Sequence, residues 1–196
     1  VMEAYDNFCK KLEDAGAKIE DVIIDEAREK STLFPTIVGS EIISAFGREK
    51  FLQVVDQMDP VTGIRAKLGL NVSSVEYIAA KKRIPKLNSI VGNYFKKYDA
   101  LVSPTTIMQA IEVDNSAVGT DLHERSLLAS ANTQPVNIFG MCAITYPIQK
   151  FANNDSQQIL PIGLQVICNK CEDDYAVAIA LALEEMFGAP ELPDVN

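Results

Sequence analysis

The sequence contains a single histidine and only four cysteines among 196 residues, and these scarcities limit the chemistry it can support. A catalytic zinc site uses three protein ligands, and a Ser-His-Asp or Cys-His arrangement would have to use His123. His123 lies in the charged segment 121–125, which is typical of a solvated surface. We therefore predict no catalytic metal, no histidine-based nucleophile and no cofactor.

The cysteines are too sparse for a disulfide framework, so we expect reduced thiols. Cys168 and Cys171 form a C-x-x-C pattern, which is half of a zinc site or a redox pair. The further ligands available are Cys9, Cys142 and His123. The alternative is that Cys168 ends a buried strand and Cys171 lies in the turn before the last helix.

Long apolar runs and basic charge are also missing. No run approaches the roughly 18 apolar residues that a membrane-spanning helix needs. The net charge of -9 would repel phosphate backbones. We therefore expect no membrane or nucleic-acid partner and a cytoplasmic location. The 47% hydrophobic content is enough for one core, which predicts a single domain over residues 1–196.

The periodicity of the first 50 residues predicts alternating helices and strands. Apolar residues at helical spacing predict a helix over residues 2–15 that ends at Gly16. The β-branched residues between Ile19 and Ile24 predict a strand, and residues 36–46 return to a helical pattern. This order is typical of a crossover unit, so we expect an α/β sheet with some parallel pairing.

The rest of the chain continues this alternation. Ser73-Ser74-Val75-Glu76 resembles a capping box, and it predicts a helix that runs to about Lys97. A short strand is expected over 100–103 and a final helix over 173–187. The segment 105–125 has no clear period, so we expect it to wrap the surface or line a cleft.

The most informative stretch begins with Thr133, Pro135 and Asn137, which form a T-x-P-x-N motif. Two apolar runs follow at 143–147 and 160–167, and both are bracketed by glycine or proline. Together these segments resemble the closing strands of the amidase signature family. The resemblance implies the C-terminal part of that family's fold, an α/β structure with a mixed β-sheet flanked by helices.

Other segments extend the resemblance over nearly the whole chain, in the order that the family has them. The first helix, Gly16 and the segment 18–24 are similar to the family's A-x-x-x-L-x-x-x-G-A-x-V pattern. Residues 98–106 are similar to its F-D-A-L-L-T-P-T run. The family's helical region is similar at Arg65, Gly69, Tyr77 and Arg83. With this region there are four short motifs in one order, which makes a coincidental resemblance improbable.

The resemblance also implies a reaction whose catalytic groups lie elsewhere. Members of the family hydrolyse or transfer amides with a serine nucleophile, a second serine and a lysine, all of which precede the part matched here. The only adjacent serines in this sequence, Ser73 and Ser74, have no neighbouring glycine and are explained by a helix cap. We therefore expect a C-terminal portion of an amidase-type amidohydrolase, without catalytic residues of its own and inactive alone.

Four residues are predicted to bind the substrate. The resemblance matches Arg65 to an arginine that is suited to holding a substrate carboxylate in glutamine-using members, although an exposed surface arginine explains it equally well. Ser130 stands where those members carry an aspartate, which counts against a glutaminase that feeds transfer-RNA amidation. Thr133 and Asn137 could bond near the site or serve ordinary structural roles.

A second function stays open. The chain could be a non-catalytic interaction module or subunit that pairs with a separate catalytic chain. If the chain is instead the C-terminal portion of an amidase, the full-length protein takes a small-molecule amide as its substrate. In either reading a severed sheet would expose an edge and apolar surface, so we expect self-association or pairing with the missing N-terminal half.

Overall fold

The computed structural model describes residues 1–111, 119–149, 152–154 and 157–189. These residues form two compact units, each assembled from separate parts of the chain. The sheet unit comprises Val1–Ile24, Gly92–Ile111 and the described residues from Gly140 onward, and the helical unit comprises Asp25–Val91 and the described residues up to Phe139. The single domain expected over residues 1–196 stays a prediction, because compactness alone does not test independent folding.

Among the described residues the α-helices are α1 Met2–Asp14, α2 Lys30–Phe46, α3 Arg48–Val54, α4 Pro60–Leu68, α5 Ser74–Gly92, α6 Gly119–Ala129, α7 Thr133–Phe139 and α8 Asp173–Phe187. The strands are β1 Leu101–Pro104, β2 Cys142–Gln149, β3 Ala152–Asn154, β4 Gln157–Ile159 and β5 Ile162–Cys168. Short 3-10 turns lie at Asp25–Glu29, Val55–Gln57, Gly69–Asn71 and Tyr94–Lys96. In the described part of the chain, no helix combines the length and the apolar character needed to cross a membrane.

The sheet unit is built on three antiparallel strands in the order β1-β5-β2. Strand β5 takes the central place because its apolar residues are buried, with Leu164 and Val166 at most 1% exposed. Phe8 of α1 and Leu183 of α8 belong to the same core. The ring of Phe8 lies 5.8 Å from that of Tyr146 on β2, so α1 packs against the sheet. Strands β3 and β4 form a separate antiparallel pair.

The structure confirms the α/β class and differs from the sequence predictions in three details. The described strands of the main sheet pair antiparallel, whereas some parallel pairing was expected. The predicted strand between Ile19 and Ile24 is wrong for the described structure, in which residues 17–24 have no regular secondary structure and Ile23 is 80% exposed. A strand needs a neighbour to satisfy its backbone groups, and no described strand pairs with this segment.

The third difference concerns the segment 105–125, which had no visible period. Its last residues form the beginning of α6, and residues 112–118 lie outside the described part of the chain. Helix α6 has a mixed, charged sequence, so its formation depends on packing against α4 more than on a strong apolar stripe.

The helical unit depends on a close approach between α2 and the turn that follows α4. A Cβ added to Gly39 would lie 2.6 Å from the backbone nitrogen of Gly69, and one added to Gly69 would lie 2.2 Å from the carbonyl carbon of Gly39. Two glycines are therefore required where the backbones meet. Phe51 and Ala66 are fully buried in the core beside this contact. The contact holds α2 and α4 side by side.

Candidate functional site

Arg65 lies in the last turn of α4 and reaches across to α6. The helix begins at Pro60, after Asp59 caps it by accepting a hydrogen bond from the backbone nitrogen of Thr62 at 3.0 Å. Nη2 of Arg65 donates to the Ser126 hydroxyl at 2.8 Å. This places a half-buried guanidinium between the two helices.

The guanidinium of Arg65 is incompletely satisfied. Its Nε is buried and has no hydrogen-bond partner, and none of the ion pairs among the described residues includes Arg65. Burying a charged donor without a partner costs free energy. An arginine keeps its charge at every physiological pH, so it does not avoid this cost by losing a proton.

His123 lies on the same face of α6 as Ser126, one turn earlier, because residues three apart in a helix are neighbours. Its Nδ1 is buried and lacks a hydrogen-bond partner. The expectation of a solvated surface histidine is therefore wrong: the ring is half-buried and lines a cavity. The charged neighbours misled the sequence prediction, since they point to solvent on other faces of the helix.

The cavity has a volume of about 340 Å³ and is formed within the helical unit. Its apolar wall comes from α2, α4 and α6 and consists of Phe34, Pro35, Val38, Leu68 and Leu127. Pockets of about 300–1,000 Å³ with apolar walls and a few polar groups are typical small-molecule sites. The lining includes both Arg65 and His123.

Lys30, at the start of α2, adds a second cation to the lining. Its amine donates to the backbone carbonyl of Ala131. Burial lowers the pKa of Lys30, because removing water disfavours the charged ammonium. Lys30 was not among the residues predicted from the sequence, because its distance along the chain from Arg65 and His123 gives no local signal.

Ser130, Thr133 and Asn137 are engaged in hydrogen bonds of the α6–α7 segment. The Ser130 hydroxyl donates to the carbonyl of Ser126 at 2.7 Å and accepts from Nε2 of Gln134 at 2.7 Å. Thr133 donates to the carbonyl of Ser130, and Asn137 donates to the carbonyl of Thr133, each at 3.2 Å. Of the four predicted substrate-binding residues, the cavity lining contains Arg65. A substrate-binding role for each of the four stays a prediction.

Ser73 caps α5, as its pattern predicted. Its backbone nitrogen donates to Glu76 Oε2 at 2.8 Å, and its hydroxyl accepts from the backbone nitrogen of Glu76 at 3.2 Å. Hydrogen bonds from Ser73 lower the pKa of Glu76. The reciprocal bonds are those of a capping box, and they occupy the hydroxyl in a structural role.

The cysteines follow the structural alternative. Cys168 ends β5, is fully buried and faces Cys142 in the β2–β5 register, and burial raises its pKa to about 11. The Cys142 thiol donates to the carbonyl of Asn169 at 3.2 Å, and Cys171 lies exposed in the turn before α8. Across the described ranges no three His, Cys, Asp or Glu side chains are grouped to hold a metal ion.

A family model for Amidase matches residues 1–177. The chain therefore belongs to the amidase family, which confirms the resemblance seen in the sequence. One relative is the 2-amino-5-chloromuconic acid deaminase of Comamonas testosteroni, which is 26% identical over 202 aligned positions that cover 98% of this chain and 42% of that protein. Another is a fatty acid amide hydrolase of Medicago truncatula, 27% identical over 88% of this chain and 28% of that protein.

Solved structures give the same fold. The 6-aminohexanoate cyclic dimer hydrolase in complex with its substrate aligns with a TM-score of 0.70 at 19% identity, over 95% of this chain and 41% of that one. A structure described as an amidase aligns with a TM-score of 0.70 at 18% identity, over 94% of this chain and 41% of that one. The chain spans less than half the length of each of these relatives.

Proposed function

We propose that this chain is the C-terminal portion of an amidase-type amidohydrolase and supplies part of its substrate pocket. The observation that carries the proposal is the extent of the match. The family model covers residues 1–177, yet the alignment leaves more than half of the deaminase without a counterpart in this chain. In the proposal, the serine nucleophile, its partner serine and the lysine belong to that remaining part.

The proposed reaction is hydrolysis of a carboxamide C–N bond through a serine acyl-enzyme. The serine oxygen bonds to the carbonyl carbon, the C–N bond breaks, and the nitrogen leaves as an amine or ammonia after taking a proton. Water then cleaves the ester and regenerates the serine. The part assigned to this chain is to bind and orient the remainder of the substrate, because positioning lowers the entropic cost of the attack.

The test is ammonia release from a panel of simple carboxamides. We expect the product of the whole native reading frame to release ammonia and the isolated 196-residue chain to release none. In the longer product, Ser73→Ala and Ser74→Ala should keep the activity, because Ser73 serves as a helix cap. Activity of the isolated chain would place a nucleophile within it and contradict the proposal.

A second candidate is a non-catalytic subunit that pairs with a separate catalytic chain. The pairing with another chain is supported by relatives from Akkermansia muciniphila and Thermotoga maritima, whose names describe them as subunits of a glutamyl-tRNA(Gln) amidotransferase. Ammonia release that appears only when this chain is mixed with a separately encoded partner would support this candidate. Absence of ammonia release by both the isolated chain and the whole reading frame would also favour it.

A further inference from the structure

Cys142 and Cys168 lie directly opposite each other on neighbouring strands of the sheet unit. Cys142 is the first residue of β2, Cys168 is the last residue of β5, and the antiparallel register pairs them. Opposite residues of an antiparallel pair have Cα atoms about 4.5 or 5.5 Å apart, and their side chains share one face of the sheet. A disulfide spans Cα atoms about 4.4–6.8 Å apart, so the backbone already holds the two cysteines at a suitable separation.

The pair lies where the sheet ends, with one thiol open to solvent and the other closed off from it. Cys168 is fully buried in the core, whereas Cys142 is half-buried on an outer strand of the described sheet. The Cys142 thiol donates to the carbonyl of Asn169, the residue after Cys168, at 3.2 Å. Thiols are weak donors, and strand ends open more readily than strand centres. Release of this bond frees the Cys142 side chain to turn toward Cys168.

The C-x-x-C partner of Cys168 is placed differently. Cys171 lies in the turn before α8, is exposed to solvent and has a φ of 62°. One thiol of the motif is therefore at the surface and the other is in the core, so a bond between them would require the backbone to move. The fold favours the pair formed across the strands over the pair that is adjacent in sequence.

We propose that Cys142 and Cys168 form a site of reversible oxidation, which takes a peroxide as its oxidant and closes to a cross-strand disulfide. The Cys142 thiolate attacks one oxygen of hydrogen peroxide, the O–O bond breaks, and the departing hydroxide takes up the thiol proton to become water. Cys142 is then a sulfenic acid. The sulfur of Cys168 attacks it, the S–S bond forms, the S–O bond breaks, and a second water leaves with the Cys168 proton. Two thiols are oxidised and one peroxide is reduced.

The surroundings of the two thiols set the order of these steps. Cys142 reacts first because it is the partly exposed member of the pair, and the enclosed Cys168 then attacks the sulfenic acid. Burial raises the pKa of both thiols, to about 11 for Cys168. Few thiolates are present at neutral pH, so the oxidation is slow and needs a sustained excess of peroxide.

The inference is tested by mapping disulfides in the folded 196-residue chain after treatment with hydrogen peroxide at about pH 8. The remaining thiols are alkylated, the chain is digested without reduction, and linked peptides are identified by mass spectrometry. We expect Cys142–Cys168 to be the main linkage and two of the four thiols to be lost. Dithiothreitol should restore all four, because it reduces a disulfide by thiol exchange.

The same treatment in concentrated urea is the matched control, because short loops close most easily in an unfolded chain. There we expect the Cys168–Cys171 linkage to increase at the expense of the cross-strand one. In the folded chain, Cys171→Ser should leave the Cys142–Cys168 linkage in place. Cys168→Ala should stop the reaction at a sulfenic acid on Cys142, which dimedone traps. If that variant does not fold, the mapping of the original chain decides the question.

Four outcomes would overturn the inference: a predominant linkage of Cys171 to either Cys142 or Cys168 in the folded chain, linkages only between chains, the same linkages with and without urea, or four free thiols after prolonged oxidation. Each readout is independent of ammonia release, so the proposed function and this inference stand or fall separately.

Discussion

At the scale of single residues, the helical unit contains two arginines in contrasting settings. Arg83 is satisfied by Glu29, with both side chains about one-third exposed, whereas Arg65 faces a cavity and keeps a buried Nε without a partner. The first arrangement stabilises the fold, whereas the second leaves a buried donor without a partner. The two residues are of the same type, so the difference between them comes from the groups that surround each guanidinium.

The pair of Glu29 and Arg83 gives a pH-dependent stability prediction. Hydrogen bonds from Arg83 hold the pKa of Glu29 below its ordinary value near 4.5, so the pair stabilises the fold above that pH and loses its effect as Glu29 is protonated. We expect Glu29→Gln to lower the free energy of unfolding by about 1 kcal/mol at pH 7, measured by urea titration. The difference from the original chain should shrink between about pH 5 and pH 3.

The control for this prediction is Asp25→Asn, which breaks the ion pair with Arg28 at 3.5 Å. Both of these side chains are at least 76% exposed, so the loss should stay within about 0.5 kcal/mol. A Glu29→Gln effect that is equally small, or that does not depend on pH, would contradict the prediction.

At the scale of secondary-structure elements, the cavity depends on how closely α2 approaches α4. The contact between Gly39 and Gly69 sets this distance. A Cβ atom added to either glycine would collide with backbone atoms of the other, and backbone atoms cannot rotate away as a side chain can. Sequence reasoning identified helices α1 and α8, whose apolar stripes are local signals, but nothing local marked these two glycines as partners.

We therefore expect Gly39→Ala to destabilise the chain by about 1–3 kcal/mol, since its Cβ would lie 2.6 Å from the Gly69 nitrogen and force the helices apart. Thermal unfolding measures the loss. Gly92→Ala is the matched control: its Cβ would meet Asn169 Oδ1 at an ordinary 3.6 Å, so the helix should be unchanged or slightly stabilised. Equal effects of the two substitutions would contradict the close-contact argument.

At the scale of the whole molecule, the described part of the sheet unit has β1 and β2 as outer strands around β5. Outer strands offer unpaired backbone groups to other chains. The segment 17–24 of the same unit also lacks regular structure and exposes Ile23. Together with the match to less than half of each relative, these features motivate an expectation of association.

We expect the isolated chain to self-associate in a concentration-dependent manner and to bind a hydrophobic dye. Light scattering after size-exclusion chromatography measures the association, and the fluorescence of the dye measures its binding. Ile23→Lys should reduce association, because a charge on the unpaired segment opposes pairing. Val75→Lys replaces a similarly exposed residue, 74% against 80%, in the helical unit and should have little effect. A strictly monomeric, dye-silent chain at high concentration would reject the expectation.

Local signals in the sequence were enough for the α/β class, the first and last helices, the cap at Ser73 and the family, because periodicity, turn residues and short motifs act over a few neighbouring positions. The candidate cavity required the tertiary structure. Arg65 meets Ser126 across 61 positions, Lys30 meets Ala131 across 101, and His123 becomes half-buried through the packing of α6. Such contacts depend on how the helices pack, and the separation of two residues along the chain carries no information about that packing.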